Sequence, residues 1–297
     1  MQLKDLTTEA RNPATENFDT MTPLELVTAM NQADATVPRA IEAVLPQVAL
    51  AVEAIAQRLA LGGRLIYVGT GTSGRIGALD SSECPPTFGT DPSMVQFLIA
   101  GGERALAHAA EASEDSAELG RSDMASKQPT AQDAVVGLAA SGRTPYTISA
   151  LSYAREQGAT AIAITCIRDS ALGQAADIAI EAEVGPEVLT GSTRLKAGTA
   201  QKQICNMLTT GAMAQLGYVY SNLMINLLLK NEKLVERGVS ILQTLANVDQ
   251  EKARKALHTA DMRVQLALVM LNLGLGKEEA EQRLIKANGN VRKALES

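Results

Sequence analysis

Glycines and hydroxyl side chains alternate in the segment from Gly69 to Gly74, which reads GTGTSG. An apolar run at 65–68 precedes it and has the length of a buried strand, and residues 75–80 predict the first turns of a helix. A strand that enters a glycine-rich loop and then a helix forms an anion site, because the free N–H groups and the dipole of the helix start face the loop. The spacing therefore indicates a site for a negatively charged ligand.

The same segment matches G-x-G-x-x-G, a pattern that also occurs in dinucleotide-binding folds. That interpretation requires an acidic residue about 20 positions later, at the end of a second strand, to hold a ribose hydroxyl. The candidate, Asp91, instead lies in a proline-flanked turn before a strand. Three hydroxyls suit a terminal phosphate with several free oxygens better than a buried diester. A tight turn without a ligand remains the alternative.

A second hydroxyl-rich turn, SGRTP from Ser141 to Pro145, follows a later apolar strand. Proline there favours the first position of a helix. Short apolar strands that mostly alternate with helices predict an α/β fold with a five-stranded parallel sheet covered on both faces. We place the strands at 65–68, 94–100, 133–140, 160–166 and 176–180. The carboxyl ends of parallel strands form a ligand crevice, so both turns can serve one site.

Several further elements follow from local patterns. Pro85 and Pro86 exclude a helix and a central strand, so we expect an ordered loop over 81–89. We expect a helix near 103–112, followed by an acidic cluster in which Ser113 could cap the next helix. Beyond residue 193 the pattern is helical throughout, with 223–229 inside a helix. From residue 247, four short segments predict a small helical module.

Composition excludes several classes of function. The chain of 297 residues has a formal net charge of −6, five tyrosines, three phenylalanines and no tryptophan, so it lacks the basic face and stacking platforms of nucleic-acid-binding proteins. No run of 18 apolar residues and no apolar signal core are present, which predicts a cytoplasmic protein outside the membrane. Cys84, Cys166 and Cys205 predict reduced thiols, and His108 and His258 lack metal-ligand spacing. We expect no metal.

Three long motifs identify a family. The segments GTGTSGRIGALDSSECPPTFG, GLAASGRTPY and GPEVLTGSTRLKAGTAQK closely resemble the N-acetylmuramic acid 6-phosphate etherase family, within the sugar isomerase (SIS) superfamily of phosphosugar-binding domains. The resemblance spans the chain, and its C-terminal part looks like a ubiquitin-associated-type three-helix bundle. It implies an N-terminal arm with a short helix (1–36), an SIS catalytic domain (37–246) and a helical module (247–297). Glucokinase regulatory proteins share the fold and parts of these motifs.

The resemblance implies a reaction and two catalytic groups. The reaction is cleavage of the D-lactyl ether at C3 of N-acetylmuramic acid 6-phosphate, which gives N-acetylglucosamine 6-phosphate and D-lactate in cell-wall amino sugar catabolism or recycling. Glu83 would donate a proton to the ether oxygen, and Glu114 would remove the C2 proton. These roles need two carboxyl groups in opposite protonation states. We expect a homodimer that binds a phosphorylated amino sugar and needs no nucleotide, flavin or other cofactor.

The resemblance also implies that Thr72, Ser73, Ser141, Gly142 and Thr144 bind the substrate, and we add Lys196 as a further candidate. The hydroxyl turns would hold the sugar phosphate, while Lys196 and Arg194 could face the substrate or make helix-end contacts. Two other functions stay open. A non-catalytic phosphosugar-binding regulator is disfavoured by Glu83 and by a chain length that suits one SIS domain. An aldose–ketose phosphosugar isomerase would share the C2 proton abstraction but needs no acid at C3.

Overall fold

The structure is a computed structural model and describes residues 7–108 and 113–296. These residues form two compact units. The first comprises the chain up to Ser81 together with Ser93–Thr209, and the second comprises Ser82–Pro92 together with Thr210–Ser297. The predicted division at 36/37 and 246/247 stays a prediction.

The first unit begins with short 3-10 turns at Thr7–Glu9, Pro13–Thr15 and Phe18–Thr20. Helices α1 (Pro23–Asp34), α2 (Val37–Glu42) and α3 (Leu45–Ala60) follow. The strands are β1 (Leu65–Gly69), β2 (Val95–Ile99), β3 (Ala134–Leu138), β4 (Thr160–Thr165) and β5 (Ile178–Glu181). The helices between and after them are α4 (Gly71–Phe88), α5 (Ala117–Ser126), α6 (Pro145–Glu156), α7 (Ala171–Gln174) and α8 (Lys196–Leu216).

The five strands form one parallel sheet in the order β2-β1-β3-β4-β5, which confirms the predicted α/β architecture. Alternate strand residues face opposite helices, as the period of two requires. Ile66 and Val68 belong to one core cluster with Tyr146 and Leu151 of α6, whereas Tyr67 faces away from them and donates a hydrogen bond to Asp80 of α4 (2.8 Å). Both faces of the sheet are therefore covered.

Strand order reverses at β1, because the chain places β2 on one side of it and then returns to place β3 on the other. In open α/β sheets this reversal leaves a crevice outside the carboxyl ends of the two central strands. Gly69 of β1 pairs with Leu138 of β3, so the two following turns start at the same level of the sheet. The fold thus brings the two hydroxyl-rich turns together.

An ion pair fastens the opposite, amino-terminal edge of β1 and β3. The guanidinium of Arg64 donates to both carboxylate oxygens of Asp133 (3.0 and 2.8 Å), and the Arg64 backbone N–H adds a third bond of 2.8 Å. Asp133 is 2% exposed. Burial raises the pKa of its carboxyl, but the bonds from Arg64 and from the Thr130 amide outweigh burial and hold the pKa below its usual value of 3.8.

The expected loop over 81–89 is wrong, because α4 begins at Gly71 and continues through Pro85 and Pro86 to Phe88. Proline has a φ close to that of a helix, so the pair is compatible with helical dihedral angles although it removes two backbone N–H donors. The loss falls in the last turn, where the Gly89 N–H donates to the Pro85 carbonyl (2.9 Å) and closes the helix. The early start at Gly71 also places the GTSG residues inside the first helical turn.

Two other local predictions also differ from the structure. The expected helix near 103–112 is a 3-10 turn at Glu103–Leu106, and residues 109–112 lie outside the described part of the chain. Helix α5 is capped by Ser116, whose hydroxyl accepts the Leu119 N–H at 3.2 Å, and not by Ser113. A capping side chain must stand directly before the first helical residue, and only the backbone path shows which serine does so.

After the end of α8, the second unit contains a small antiparallel hairpin, β6 (Val219–Tyr220) and β7 (Leu223–Met224), so the helix expected over 223–229 is wrong. Ser221 turns the hairpin with a φ of +54°. An extended segment follows, and α9 (Glu232–Ala246) starts only after Asn231, whose side chain accepts the Leu234 N–H at 2.9 Å. The apolar residues before Asn231 therefore precede the helix.

Four short helices complete this unit, namely α10 (Gln250–Thr259), α11 (Val264–Leu273), α12 (Lys277–Lys286) and α13 (Val291–Glu296). They match the predicted short segments. Residues of α9 belong to the same apolar cluster as residues of these four helices, so all five helices share one core. Gly274, in the left-handed conformation, ends α11 and separates it from α12.

The state of the cysteines and the membrane-spanning potential of the helices were also predicted from the sequence. Cys84, Cys166 and Cys205 are buried and none of them is paired in a disulfide; their reduced state stays a prediction. Among the described residues, no single helix has the length and apolarity to cross a membrane. One bent pair, Pro23–Glu42 with Leu45–Ala60, meets the criterion by length and composition alone.

Candidate functional site

A cleft of about 320 Å³ lies at the carboxyl ends of β1 and β3, where the strand order reverses. Both hydroxyl-rich turns contribute to its wall. The lining residues are Glu9, Thr70, Gly71, Thr72, Ser73, Arg75, Glu114, Ala139, Ala140, Ser141, Thr144 and Thr193. Four of the predicted substrate-binding residues and one of the two predicted catalytic glutamates are therefore in one place.

The start of α4 forms one side of this cleft. The Thr70 carbonyl accepts the first helical bond from Gly74 N–H (3.0 Å), which leaves the amides of residues 71–73 without a partner inside the helix. Thr72 is half-buried beside them. Ser73 is 8% exposed, and its hydroxyl donates to Oε1 of Gln201 on α8 (2.9 Å). Gln201 thus fixes the direction of the Ser73 hydroxyl.

The second turn forms the facing side. Ser141 and Thr144 line the cleft, and Thr144 occupies the N-cap position of α6 without making a side-chain capping bond. Its hydroxyl is therefore available to a ligand. Gly142 supplies the bend, with a φ of +62°, and a side chain there would come within 2.4 Å of the Ser170 Cβ. Gly142 itself is buried and outside the lining, so its contribution is the shape of the turn.

A backbone hydrogen bond to α6 positions Glu114 near the start of α4. Its carbonyl oxygen accepts the Tyr146 N–H of α6 at 3.1 Å, and the Tyr146 hydroxyl donates to Asp123 of α5 at 2.7 Å. The side chain then reaches the cleft, where Oε1 lies 3.2 Å from the position that a Cβ would take on Gly71. A carboxylate therefore stands beside the amides that would bind an anion.

The lining also includes Glu9, Arg75 and Thr193, which the sequence did not predict as site residues. Arg75 supplies a positive charge, and its guanidinium is oriented by bonds of 3.1 Å to the carbonyls of Ala105, Leu106 and His108. Arg75 and Thr193 stand inside the quoted motifs, which is a signal that could have found them. Glu9 lies in the N-terminal arm, far from those motifs in sequence.

The remaining predicted residues lie elsewhere. Glu83 is exposed on α4, belongs to the second compact unit and is not among the residues that line the cleft. Lys196 is 5% exposed, and its ammonium donates to the Val184 carbonyl at 2.7 Å, also outside the lining. Arg194 is exposed. Substrate contact by Glu83 or Lys196 stays a prediction.

A buried carboxylate explains the position of Lys196. Glu187 accepts the backbone N–H groups of Lys196 and Ala197, both at 3.0 Å, and so caps the start of α8. Burial raises the pKa of Glu187, although these two amides act in the opposite direction. Burial likewise lowers the pKa of the Lys196 ammonium. Both side chains therefore make hydrogen bonds to the backbone at the two ends of the loop that contains Thr193.

The donor set of the cleft suits a phosphorylated polyol. Backbone N–H groups at a helix start and neutral hydroxyls bind a phosphate dianion without a lysine. A carboxylate beside them can accept hydrogen bonds or take a proton from a bound ligand. No group of three metal-ligating side chains occurs in the described ranges 7–108 and 113–296.

The doubly covered parallel sheet with its site at the β1/β3 switch point defines this protein as one with an SIS domain. Family models agree. Residues 116–211 match the SIS domain, residues 47–155 match the glucokinase regulatory protein N-terminal SIS domain, and residues 221–265 match the C-terminal lid domain of glucokinase regulatory protein.

Relatives that match the chain over nearly its whole length identify the family within this class of proteins. N-acetylmuramic acid 6-phosphate etherase 2 of Lactiplantibacillus plantarum is 52% identical over 295 residues, covering 99% of this chain and 100% of the relative. The N-acetylmuramic acid 6-phosphate etherase of Clostridium beijerinckii is 49% identical, covering 100% and 97%, and that of Serratia proteamaculans is 52% identical, covering 99% of each. The chain belongs to the N-acetylmuramic acid 6-phosphate etherase family.

Proposed function

We propose that this protein is a carbon–oxygen lyase that cleaves the D-lactyl ether of N-acetylmuramic acid 6-phosphate. The products are N-acetylglucosamine 6-phosphate and D-lactate, and the process is the breakdown or recycling of cell-wall amino sugars in the cytoplasm. The observation that carries the proposal is the presence of Glu114 in the same cleft as both hydroxyl turns, in a chain of this family.

The phosphate is the anchor of the substrate. The amides at the start of α4, including that of Ser73, and the hydroxyls of Thr72, Ser141 and Thr144 bind its oxygens, while the Ser73 hydroxyl donates to Gln201. Anchoring one end of the sugar fixes the distance from the phosphate to C2 and C3. It also replaces a random encounter between carboxylate and substrate by a fixed orientation.

Glu114 acts as the base. In the open-chain form of the substrate, C1 is an aldehyde, which acidifies the proton on C2. The Glu114 carboxylate removes this proton, and the electron pair of the C–H bond moves into a C2–C3 double bond as the C3–O bond breaks. The half-buried position of Glu114 beside the phosphate site supports this role.

Glu83 acts as the acid. An ether oxygen leaves poorly as an alkoxide, so a carboxylic acid that protonates it makes elimination of lactate possible. Water then adds across the double bond, with OH at C3 and H at C2, to give N-acetylglucosamine 6-phosphate. The sum is substrate plus one water, and each carboxyl group ends in its starting protonation state. The position of Glu83 in the family motif supports this assignment.

One assay tests the proposal and separates its competitors. The protein is incubated with N-acetylmuramic acid 6-phosphate in isotopically labelled water, and D-lactate release and the label at C3 are measured. We expect both, with a loss of turnover of about 10²- to 10⁴-fold in Glu83→Gln and in Glu114→Gln. Binding without lactate would favour a regulator, and conversion between aldose and ketose phosphates would favour an isomerase. Near-normal turnover in both variants would overturn the mechanism.

We further propose a homodimer. Helix α1 has no buried residue and exposes Leu24 (74%) and Val27 (58%), an apolar face that a second copy would cover. Mixing Glu83→Gln and Glu114→Gln proteins shows which subunit supplies each carboxylate. If the two groups come from different subunits, a mixed dimer contains one intact site and regains activity. If they come from one chain, every site carries a substitution and activity stays low.

A further inference from the structure

The N-terminal arm, residues 7–20, is held against the loop that leads into α8. Thr8 is fully buried, and the Thr15 hydroxyl donates to the Val188 carbonyl at 2.9 Å. Asn12 shapes the turn before Thr15 by accepting the Ala14 N–H at 3.0 Å. These contacts fix the arm close to the 188–193 segment, so its side chains have defined positions.

Glu9 projects from this arm into the cleft that contains Thr72, Ser141 and Glu114. Its Oε2 lies 3.1 Å from the position of a Cβ on Gly191, a residue with a φ of +76°. A side chain at 191 would crowd the carboxylate and shift it by a few tenths of an ångström. The absence of a side chain at 191 therefore leaves a place for Glu9 beside Thr193, which also lines the cleft.

The Glu9 carboxylate is open to a ligand. Within the described ranges, Glu9 forms no ion pair and its carboxylate accepts no hydrogen bond from the protein. An ionised carboxylate accepts hydrogen bonds and donates none. It repels a phosphate or a second carboxylate, so the part of a ligand that faces Glu9 must carry hydrogen-bond donors. On a phosphorylated amino sugar these donors are hydroxyls and the acetamido N–H.

We propose that Glu9 is a specificity-determining residue that binds the sugar part of the substrate. Its carboxylate accepts hydrogen bonds from hydroxyl or acetamido N–H groups, while the start of α4 and the second turn bind the phosphate. The proposal rests on the proposed function, since it assumes that a phosphosugar occupies this cleft. Discrimination between a sugar phosphate and phosphate alone is then a property of the N-terminal arm.

Binding measurements with two ligands test this division of labour. The affinities of N-acetylglucosamine 6-phosphate and of inorganic phosphate are measured by calorimetry for the wild type and Glu9→Ala. A lost hydrogen bond to a charged group corresponds to about 10- to 100-fold in affinity. We expect that loss for the sugar phosphate, a smaller one in Glu9→Gln, and unchanged phosphate binding in both. Glu16→Ala, which removes an exposed carboxylate from the same arm, is the matched control and should change neither affinity.

The outcomes separate this proposal from the proposed reaction. Equal losses for both ligands, or no loss for the sugar phosphate, would overturn the role of Glu9 while leaving lactate release intact. Selective loss of the sugar phosphate in a protein that releases no lactate would support Glu9 and overturn the reaction. A wild type that does not bind the sugar phosphate would overturn both.

Discussion

The Glu114 carboxylate stands over the first residue of α4, with Oε1 3.2 Å from the position of a Cβ on Gly71. The same residue begins the helix whose free amides face the cleft. The proposed base and the proposed phosphate anchor therefore meet at one helix start. A change at Gly71 tests both without altering either functional group.

Gly71→Ala should lower kcat for lactate release by roughly 10²-fold, because a small displacement of a catalytic group has an effect of that size. The added methyl meets the Glu114 carboxylate, and Gly71 has a φ of +48° that side chains disfavour. Gly102→Ala separates the two causes, since Gly102 has a φ of +68° but open space around it. Equal activity in the two variants would contradict the displacement of Glu114.

Thr144→Val should raise KM for the phosphosugar by about 10-fold or more and leave the melting temperature nearly unchanged. The Thr144 hydroxyl lines the cleft and makes no capping bond, so its loss affects only the ligand. Thr147→Val, on the same helix, is the control. Its hydroxyl is buried without a hydrogen-bond partner among the described residues, so the variant should keep a normal KM and stability. A normal KM in Thr144→Val would remove Thr144 from the phosphate site.

Gln201→Leu should raise KM by about as much as Ser73→Ala does. Gln201 is fully buried and accepts the hydrogen bond from the Ser73 hydroxyl at 2.9 Å, so both variants lose the same bond, which holds the start of α4 and the Ser73 amide in position. The double variant should be no worse than the more damaged single variant, because residues that act as a unit are not additive. Steady-state kinetics on the four proteins completes the cycle. Additive effects would show that Gln201 acts independently of Ser73.

Asp133→Asn should lower the free energy of unfolding by roughly 2 kcal/mol at pH 7 and leave KM and kcat unchanged. The pKa of Asp133 in the folded protein lies below 3.8, because its bonds to Arg64 and Thr130 outweigh burial. Its stabilising contribution is therefore complete above pH 3.8 and is lost as the pH falls through the folded pKa. Denaturant titrations from pH 7 to pH 3 should show the two proteins converging.

A solvent-exposed ion pair is the control for the Asp133→Asn stability measurements. Arg121 and Glu156 form an ion pair in which both side chains are 50% exposed. Glu156→Gln should change stability little, because water screens such pairs. A constant gap between Asp133→Asn and the wild type over the whole pH range would contradict the pKa argument.

Val27→Glu should dissociate the proposed dimer, since it places a charge on the exposed apolar face of α1. Gln32→Glu adds the same charge at an exposed position about 140° around that helix from Val27 and should leave the dimer intact. Sedimentation velocity over a range of protein concentrations measures both. A monomeric wild type, or a dimeric Val27→Glu protein, would remove α1 from the interface.

Local patterns predicted the architecture and much of the candidate site. The apolar run and GTGTSG at 65–74, and the turn after β3, each encode a strand followed by a helix start. Parallel pairing then forces the two turns together. The pattern failed at Pro85–Pro86, where a helical φ and a terminal position outweighed the missing N–H groups.

Contacts between distant segments could not be read from spacing. Glu9 reaches the cleft from an arm in which Thr15 bonds to Val188, a pair separated by 173 positions in sequence. The sequence left open whether Lys196 faces the substrate or makes helix-end contacts. The structure shows its ammonium donating to the Val184 carbonyl and its backbone N–H donating to Glu187, and substrate contact stays a prediction. Periodicity reports which face of an element is apolar, and it does not report which remote loop meets that face.

The burial of every thiol in this chain has a practical consequence for spectroscopy. Cys84 is 2% exposed and Cys166 and Cys205 are fully buried, and burial raises the pKa of Cys166 to about 12 and that of Cys205 as well. Maleimide reagents need an accessible thiolate, so the native cysteines should stay unmodified in the folded protein. A cysteine introduced at Glu16 would then carry a single fluorophore, placed to follow the N-terminal arm during turnover.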